Sequence, residues 1–162
     1  MRFEHWVRDQ LPPLLRLAQS LSADRQLGED LVQDVLVKVH ARWDRISATE
    51  HPDAYVRRML VNEHLSWRRK WARLVPTADV GLDLEAGDRH AHDHAERDAL
   101  VREVRRLPER QRVVVTMRYL ADLDDRAIAE ALGCSETTVR VHASRALATL
   151  RIATDETIWS RT

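Results

Sequence analysis

The 162-residue sequence predicts an all-α protein of two small helical domains joined by a flexible acidic linker. Three observations lead there. Apolar residues in the outer parts of the chain recur at helical spacing, and no stretch alternates apolar and polar residues for long enough to make a strand. The 26 basic and 26 acidic residues balance only in total: residues 1–73 hold 13 and 10 (+3), residues 74–98 hold 2 and 7 (−5), and residues 99–162 hold 11 and 9 (+2). The acidic block also contains the turn formers Pro76, Gly81 and Gly87, with few large apolar residues after Val80, as a linker would. The expected boundaries are a first domain at 1–73, a linker at 74–97, a second domain at 98–153 and a tail at 154–162.

Composition excludes several classes. At 44% hydrophobic residues the chain can bury a core, so wholesale disorder is not expected. No apolar run approaches the roughly 20 residues that span a bilayer, and Met1 to His5 lacks the basic-then-apolar order of a signal peptide, so no membrane insertion and a cytoplasmic location are expected. The single cysteine, Cys134, can make neither an internal disulfide nor a Cys-rich zinc site. Four glycines and one phenylalanine argue against a nucleotide-binding loop or a β-sandwich.

In the first domain Leu11, Leu14, Leu15, Ala18 and Leu21 form one helical stripe, with Pro12 and Pro13 expected in its first turn. Leu27, Leu31, Val35 and Val39 form a second stripe at i, i+4, i+8 and i+12. A third runs through Tyr55, Val56, Met59 and Leu60; Pro52 ends the segment before it and Asp53 is placed to cap it. In the second domain Leu100, Val104 and Leu107 make a stripe that Pro108 interrupts, and Val113, Val114, Met117 and Leu120 resume it. Asp124 is a candidate N-cap for a helix over 125–132, Gly133 is placed to end it, and Ser135 to cap a last helix reaching about Arg151.

That ending is helix, short turn, helix, the arrangement that lays its second helix in the DNA major groove. Such a helix must bury one stripe and leave another polar and cationic. Val139, Ala143, Ala146 and Leu150 would face inward, with small Ala129 and Ala143 permitting close packing, while Thr137, Arg140, Val141, Ser144 and Arg145 face away. Arg140 suits a guanine edge, Thr138 and Ser144 suit phosphate, and Arg145 suits either. A plain helical hairpin with solvated arginines would show the same pattern. A second basic cluster, Ser66-Trp67-Arg68-Arg69-Lys70-Trp71-Ala72-Arg73, interleaves four cations with two indoles. Cations neutralise phosphates and aromatic faces stack on unpaired bases, which is the composition for touching opened DNA. Taken alone it reads as a solvated helix end, its cations favoured by the macrodipole; two basic elements on two domains favour a joint role in DNA binding.

These residues carry a family resemblance. Asp30-Leu31-Val32-Gln33-Asp34 resembles the core-binding helix of sigma domain two in bacterial extracytoplasmic-function sigma factors, and HPDAYVRRMLVNEHLSWRR, His51 to Arg69, is similar to the promoter-melting region of their actinobacterial SigE-type subgroup. Leu107-Pro108-Glu109-Arg110-Gln111-Arg112, followed by Gly133-Cys134-Ser135 and Thr138-Val139-Arg140, resembles sigma domain four. The resemblance implies a dissociable RNA polymerase subunit, without catalysis or cofactor of its own, that directs the core enzyme to promoters. Asp30, Leu31, Gln33 and Asp34 would bind core polymerase; Asn62, Ser66, Trp67, Arg68 and Arg69 would open and capture the minus-ten element; Thr138, Arg140, Val141, His142, Ser144 and Arg145 would engage the minus-thirty-five element. Family members are commonly sequestered by an anti-sigma factor, and some lack one. The sequence departs from the usual pattern at Leu36 and His40, where aromatics are common, at Val141 and His142, where Ser and Arg are frequent, and at Ala127, which removes the usual capping-box partner of Asp124.

The promoter elements lie on the order of 70 Å apart. The about 18 residues from Pro76 to Asp93 reach at most roughly 65 Å and average about 25 Å as a coil, so the free protein is expected to be more compact than the polymerase-bound one. The acidic linker would disfavour duplex DNA; the resemblance implies that it passes into the polymerase interior, where positive channels would hold Asp79, Asp83, Glu85 and Asp88. His90, His92 and His94 alternate within it and are expected to be solvated, with no metal site, because in a helix only His90 and His94 share a face. Two other readings compete. A helix-turn-helix regulator acting without polymerase leaves the DLVQD helix and the Trp-Arg cluster without a role, and a hydrolase built on the histidines lacks paired carboxylates or a nucleophile-base pair.

Overall fold

The structure, a computed structural model, describes residues 1–74 and 95–159, the latter with backbone only at 95–98 and 152–159. Among the described residues there are eight helices and no strand: α1 (Phe3–Ser22), α2 (Arg25–His40), α3 (Trp43–Ser47), α4 (Pro52–Leu74), α5 (Ala95–Arg106), α6 (Glu109–Tyr119), α7 (Asp125–Leu132) and α8 (Glu136–Trp159). The chain divides into two compact units, Met1–Ala86 and Gly87–Thr162. The all-α reading with two small helical domains therefore holds. The linker carboxylates and the three alternating histidines lie outside the described residues, as does any account of the linker's reach.

In the first unit α1, α2 and α4 pack on one another and α3 bridges α2 and α4. Their shared core takes Trp6, Leu14, Leu17, Ala18 and Leu21 from α1, Leu31, Val32, Val35 and Val39 from α2, Ile46 from α3, and Val56, Leu60 and Val61 from α4. One expectation fails in α1. Pro12 and Pro13 lie inside the helix, not in its first turn. An interior proline costs about 3 kcal/mol because it removes the N–H that would satisfy the carbonyl one turn earlier. Here those carbonyls belong to Arg8 and Asp9, which are exposed, as is Pro12, so water can take the vacated bonds while the opposite face stays in the core. α1 stops at Ala23, which adopts a left-handed φ of 55° and donates its N–H to the Gln19 carbonyl. Asp24 then caps α2, its Oδ1 accepting the Leu27 N–H at 2.7 Å.

The start of α4 also differs. Pro52 is its first residue and Asp53 lies in its first turn, so Asp53 is not the cap; its Oδ1 instead accepts the indole N–H of buried Trp6 at 2.6 Å. Trp6 in turn packs with Phe3 and Trp43. This aromatic cluster ties α1 to α3, and the hydrogen bond ties it to α4. Tyr55, assigned to the buried stripe, is 43% exposed, because the stripe runs through Val56, Leu60, Val61 and His64.

In the second unit α6 packs against α5, α7 and α8. The buried stripe is Val101 and Val104 of α5 with Leu107 just after its end, not Leu100, which is 55% exposed. Val113, Val114, Val115 and Met117 form the buried side of α6, and Leu120 is only half-buried. Val104, Leu107, Val115 and Ala146 form one cluster that Leu147 and Leu150 cover. The turn chemistry read from the sequence is present. Asp124 Oδ1 accepts the Ala127 N–H at 2.7 Å, Gly133 ends α7 at φ 65°, and Ser135 Oγ accepts the Thr138 N–H at 3.1 Å. Only the end of α8 differs, since the helix continues to Trp159 instead of stopping near Arg151.

Candidate nucleic-acid interface

The side chains of α8 segregate as a groove-reading helix requires. Val139, Ala143 and Ala146 are completely buried, and Ala129 of α7 is 6% exposed, so two small residues let α7 and α8 approach closely. At about 100° per residue, Thr137, Arg140, Val141, Ser144 and Arg145 share the opposite face, and all five are exposed. Val141, 41% exposed, is an apolar contact among polar ones. Thr138 and His142 lie on the flank and are half-buried. The Thr138 hydroxyl is within 2.9 Å of Ser135 Oγ, so it belongs partly to the helix cap.

Arg140 is the most connected residue of this face. Its Nη1 lies 3.7 Å from Glu136 Oε2 and 3.9 Å from Asp125 Oδ2, and its Nη2 lies 3.4 Å from Thr137 Oγ1. Asp125 is itself gripped by Arg118 of α6, Nη2 to Oδ1 at 2.5 Å. That hydrogen bond, outweighing partial burial, raises the Arg118 pKa above its ordinary value. Sequence reading missed Arg118, Asp125 and Glu136. Glu136 was within reach, four residues before Arg140; the other two depend on how α6 packs on α7.

In the first unit the cationic end of α4 is continuous helix to Leu74. Asn62, Ser66 and Arg69 are exposed and fall within about 60° of one another on the helix wheel. Trp67 lies on another flank, stacked on buried His64 with ring centres 6.5 Å apart and tilted by 49° against Trp71 at 5.7 Å. Trp71 is 51% exposed. The five residues assigned to minus-ten capture thus wind around the helix: three share a face, Trp67 joins an aromatic ladder, and half-buried Arg68 points elsewhere. Glu63, beside the ladder, pairs with Lys38 of α2 at 2.5 Å.

On α2, Asp30, Gln33 and Asp34 are exposed on one face, with Asp30 Oδ1 accepting from Gln26 Nε2 at 3.1 Å. Leu31 differs from the other three. It is 3% exposed and points into the core, so it holds the helix and presents nothing outward. Gln33 also lines an open apolar groove of about 420 Å³ between α1 and α2, formed chiefly by Phe3, Val7, Leu11, Leu15, Val32, Leu36 and Val37. The sequence signal for it was a stripe too wide for one core contact: Leu11 and Leu15 are half-buried, and Val37 is 65% exposed.

Among the described residues no group of three or more His, Cys, Asp or Glu could hold a metal ion. No helix there is long and apolar enough to cross a membrane.

Comparison with known proteins matches both units. Residues 6–74 fit the family model described as Sigma-70 region 2, and residues 97–150 the model described as Sigma-70, region 4. The chain is 36% identical over 152 residues to the RNA polymerase sigma-E factor of Streptomyces avermitilis, covering 93% of this chain and 84% of that one. It is 35% identical over 152 residues to that of Streptomyces coelicolor, covering 93% and 85%. Among solved structures it is similar to the sigma factor RpoE of Bartonella quintana, co-crystallised with the anti-sigma factor NepR, with a TM-score of 0.66, 28% identity, and coverage of 94% of this chain and 96% of that one. A region 2 helical bundle and a region 4 helix-turn-helix in one chain, with sigma-E relatives along nearly its whole length, place the protein in the sigma-70 family of RNA polymerase sigma factors.

Proposed function

We propose that the protein binds core RNA polymerase and directs it to promoters, recognising minus-ten and minus-thirty-five elements, as a cytoplasmic subunit with no catalysis of its own. The division of labour follows the boundaries 1–73, 74–97, 98–153 and 154–162. Asp30, Gln33 and Asp34 of α2 contact the core enzyme, and Leu31 fixes that helix from beneath. The adjoining groove adds apolar area to the carboxylate face. Asn62, Ser66 and Arg69 track the minus-ten backbone while Trp67 and Trp71 offer a stacking platform; an exposed indole is worth about 1–3 kcal/mol per stacked base. Arg140, Val141, Ser144 and Arg145 enter the major groove at minus thirty-five, Arg140 on a guanine edge and Val141 against a thymine methyl, with Thr138 and His142 on the flank.

The observation that carries this reading is the pairing, in one chain, of a helix-turn-helix with an exposed cationic face and a separate unit bearing a Trp-Arg helix end. A duplex-binding regulator needs only the first. Run-off transcription with purified core polymerase and the full-length chain, on upstream regions of the source genome including that of its own gene, tests it. Defined transcripts that need both components are expected; specific duplex binding by the chain alone, with no polymerase-dependent start, would support the regulator instead. The Bartonella structure also motivates an anti-sigma partner that covers these surfaces.

A further inference from the structure

The cation at the centre of the α8 face is not bare. Arg140 lies between two carboxylates, each from the first residue of a helix: Asp125 of α7 at 3.9 Å and Glu136 of α8 at 3.7 Å, both on Nη1. These separations exceed the 2.7–2.9 Å of a charge-assisted hydrogen bond, so the carboxylates bias the guanidinium without locking it. Asp125 cannot follow Arg140 outward. Its side chain is 18% exposed, and its other oxygen is held by Arg118, which is 27% exposed and anchored in α6. Glu136 is half exposed and sits one turn before Arg140 on the same helix.

Two arginines and two carboxylates sum to zero charge. A phosphate oxygen approaching Arg140 therefore meets two like charges a few ångströms behind its partner. The edge of guanine carries no net charge, so its O6 and N7 can accept from Arg140 without that penalty, displacing the long 3.4 Å contact of Nη2 with Thr137 Oγ1. The same arrangement restricts the orientations of a long side chain before it meets DNA. We propose that Asp125, fixed by Arg118, is a positioning residue that acts with Glu136 to turn Arg140 toward a guanine edge and away from phosphate. Specificity at one minus-thirty-five base pair then depends on a residue that does not touch DNA. This rests on the reading that α8 enters the major groove with Arg140 on a base.

The test uses holoenzyme reconstituted from core polymerase and the full-length chain. Binding is measured to a promoter duplex, to the same duplex with each minus-thirty-five guanine changed in turn to 7-deazaguanine, and to a non-promoter duplex, across a salt series. Arg140→Ala identifies the guanine that Arg140 reads. Asp125→Asn and Glu136→Gln should each cut discrimination at that guanine about three- to tenfold and tighten binding to non-promoter duplex. They should also steepen the salt dependence by up to one phosphate contact, a slope change of about 0.9. If Arg140→Ala leaves every guanine dependence intact, the base-reading assignment has failed and this proposal with it. If Arg140→Ala abolishes one dependence but both carboxylate variants keep it, or weaken promoter and non-promoter binding equally, the positioning role alone is overturned. Thermal melting checks folding. Should Asp125→Asn melt the second unit, Glu136→Gln, exposed and outside the core, decides the question.

Discussion

Gly28 offers the sharpest test of how the first unit is built. It lies within α2, where glycine is worth about 1 kcal/mol less than alanine because its backbone loses more freedom on ordering. On that ground alone Gly28→Ala would stabilise the protein. The packing opposes it. A Cβ built on Gly28 falls 2.9 Å from both Cγ and the backbone N of Gln19 in α1, and 3.1 Å from its Cα. The Gln19 side chain can swing aside, but its backbone cannot, so α1 and α2 must part by about half an ångström to restore ordinary contact. Overpacking of this kind costs about 1–3 kcal/mol. The expected net change is a loss of about 1 kcal/mol, or about 4–8 °C in Tm for a domain of this size. Tryptophan fluorescence is weighted to the right unit, because four of the five tryptophans, Trp6, Trp43, Trp67 and Trp71, lie in it. The shift would also move the face that bears Asp30, Gln33 and Asp34, so affinity for core polymerase should fall with stability. A Gly28→Ala protein as stable as the parent, or more so, would refute the close approach of α1 and α2.

Three further outcomes are expected. Ala23→Gly should raise the Tm of the first unit, since a left-handed φ of 55° strains alanine and not glycine; the gain is about 0.5–1 kcal/mol, read in the same melt. Thr116→Val should leave the second unit unharmed or more stable by up to about 1 kcal/mol in urea unfolding, because the Thr116 side chain is fully buried and its hydroxyl has no hydrogen-bond partner among the described residues. Trp71→Ala should leave stability within about 0.5 kcal/mol yet slow open-complex formation, measured by permanganate footprinting of the minus-ten region, with duplex binding at minus thirty-five unchanged.

What the sequence made legible divides along a physical line. Features set by neighbours along the chain were readable: the Asp124 and Ser135 caps, the left-handed Gly133, and the segregated faces of α8 each depend on residues within one or two turns. Features set by packing were not. Pro12 and Pro13 signal a helix start by local rules, and only the burial of Leu14, Leu17 and Leu21 against α2 and α4 outweighs them. Asp53 has the chemistry of a cap, but α4 already begins at Pro52, and a buried indole in α1 claims the Asp53 carboxylate across 47 residues. Leu31 belongs by periodicity to the buried stripe and by motif to the residues that would bind core polymerase; the periodicity prevails, for Leu31 and Val32 are buried while Asp30, Gln33 and Asp34 face outward.

The same line runs through the interface itself. Net charge per segment located two basic surfaces, and in that sense +3 and +2 were informative. Net charge cannot say whether a given arginine is available to phosphate. Arg145 is exposed and pairs with no carboxylate among the described residues, whereas Arg140, five residues away and also exposed, shares its charge with Asp125 and Glu136. Nonspecific attraction scales with cations open to phosphate, and base selection with cations held to one direction. A helix that does both needs arginines in both states, and the state of Arg140 depends on Glu136 of α8 together with Asp125 of α7, which Arg118 holds from α6, away from the reading face. Recognition by this helix is therefore a property of the packed unit of α6, α7 and α8, not of the α8 sequence alone.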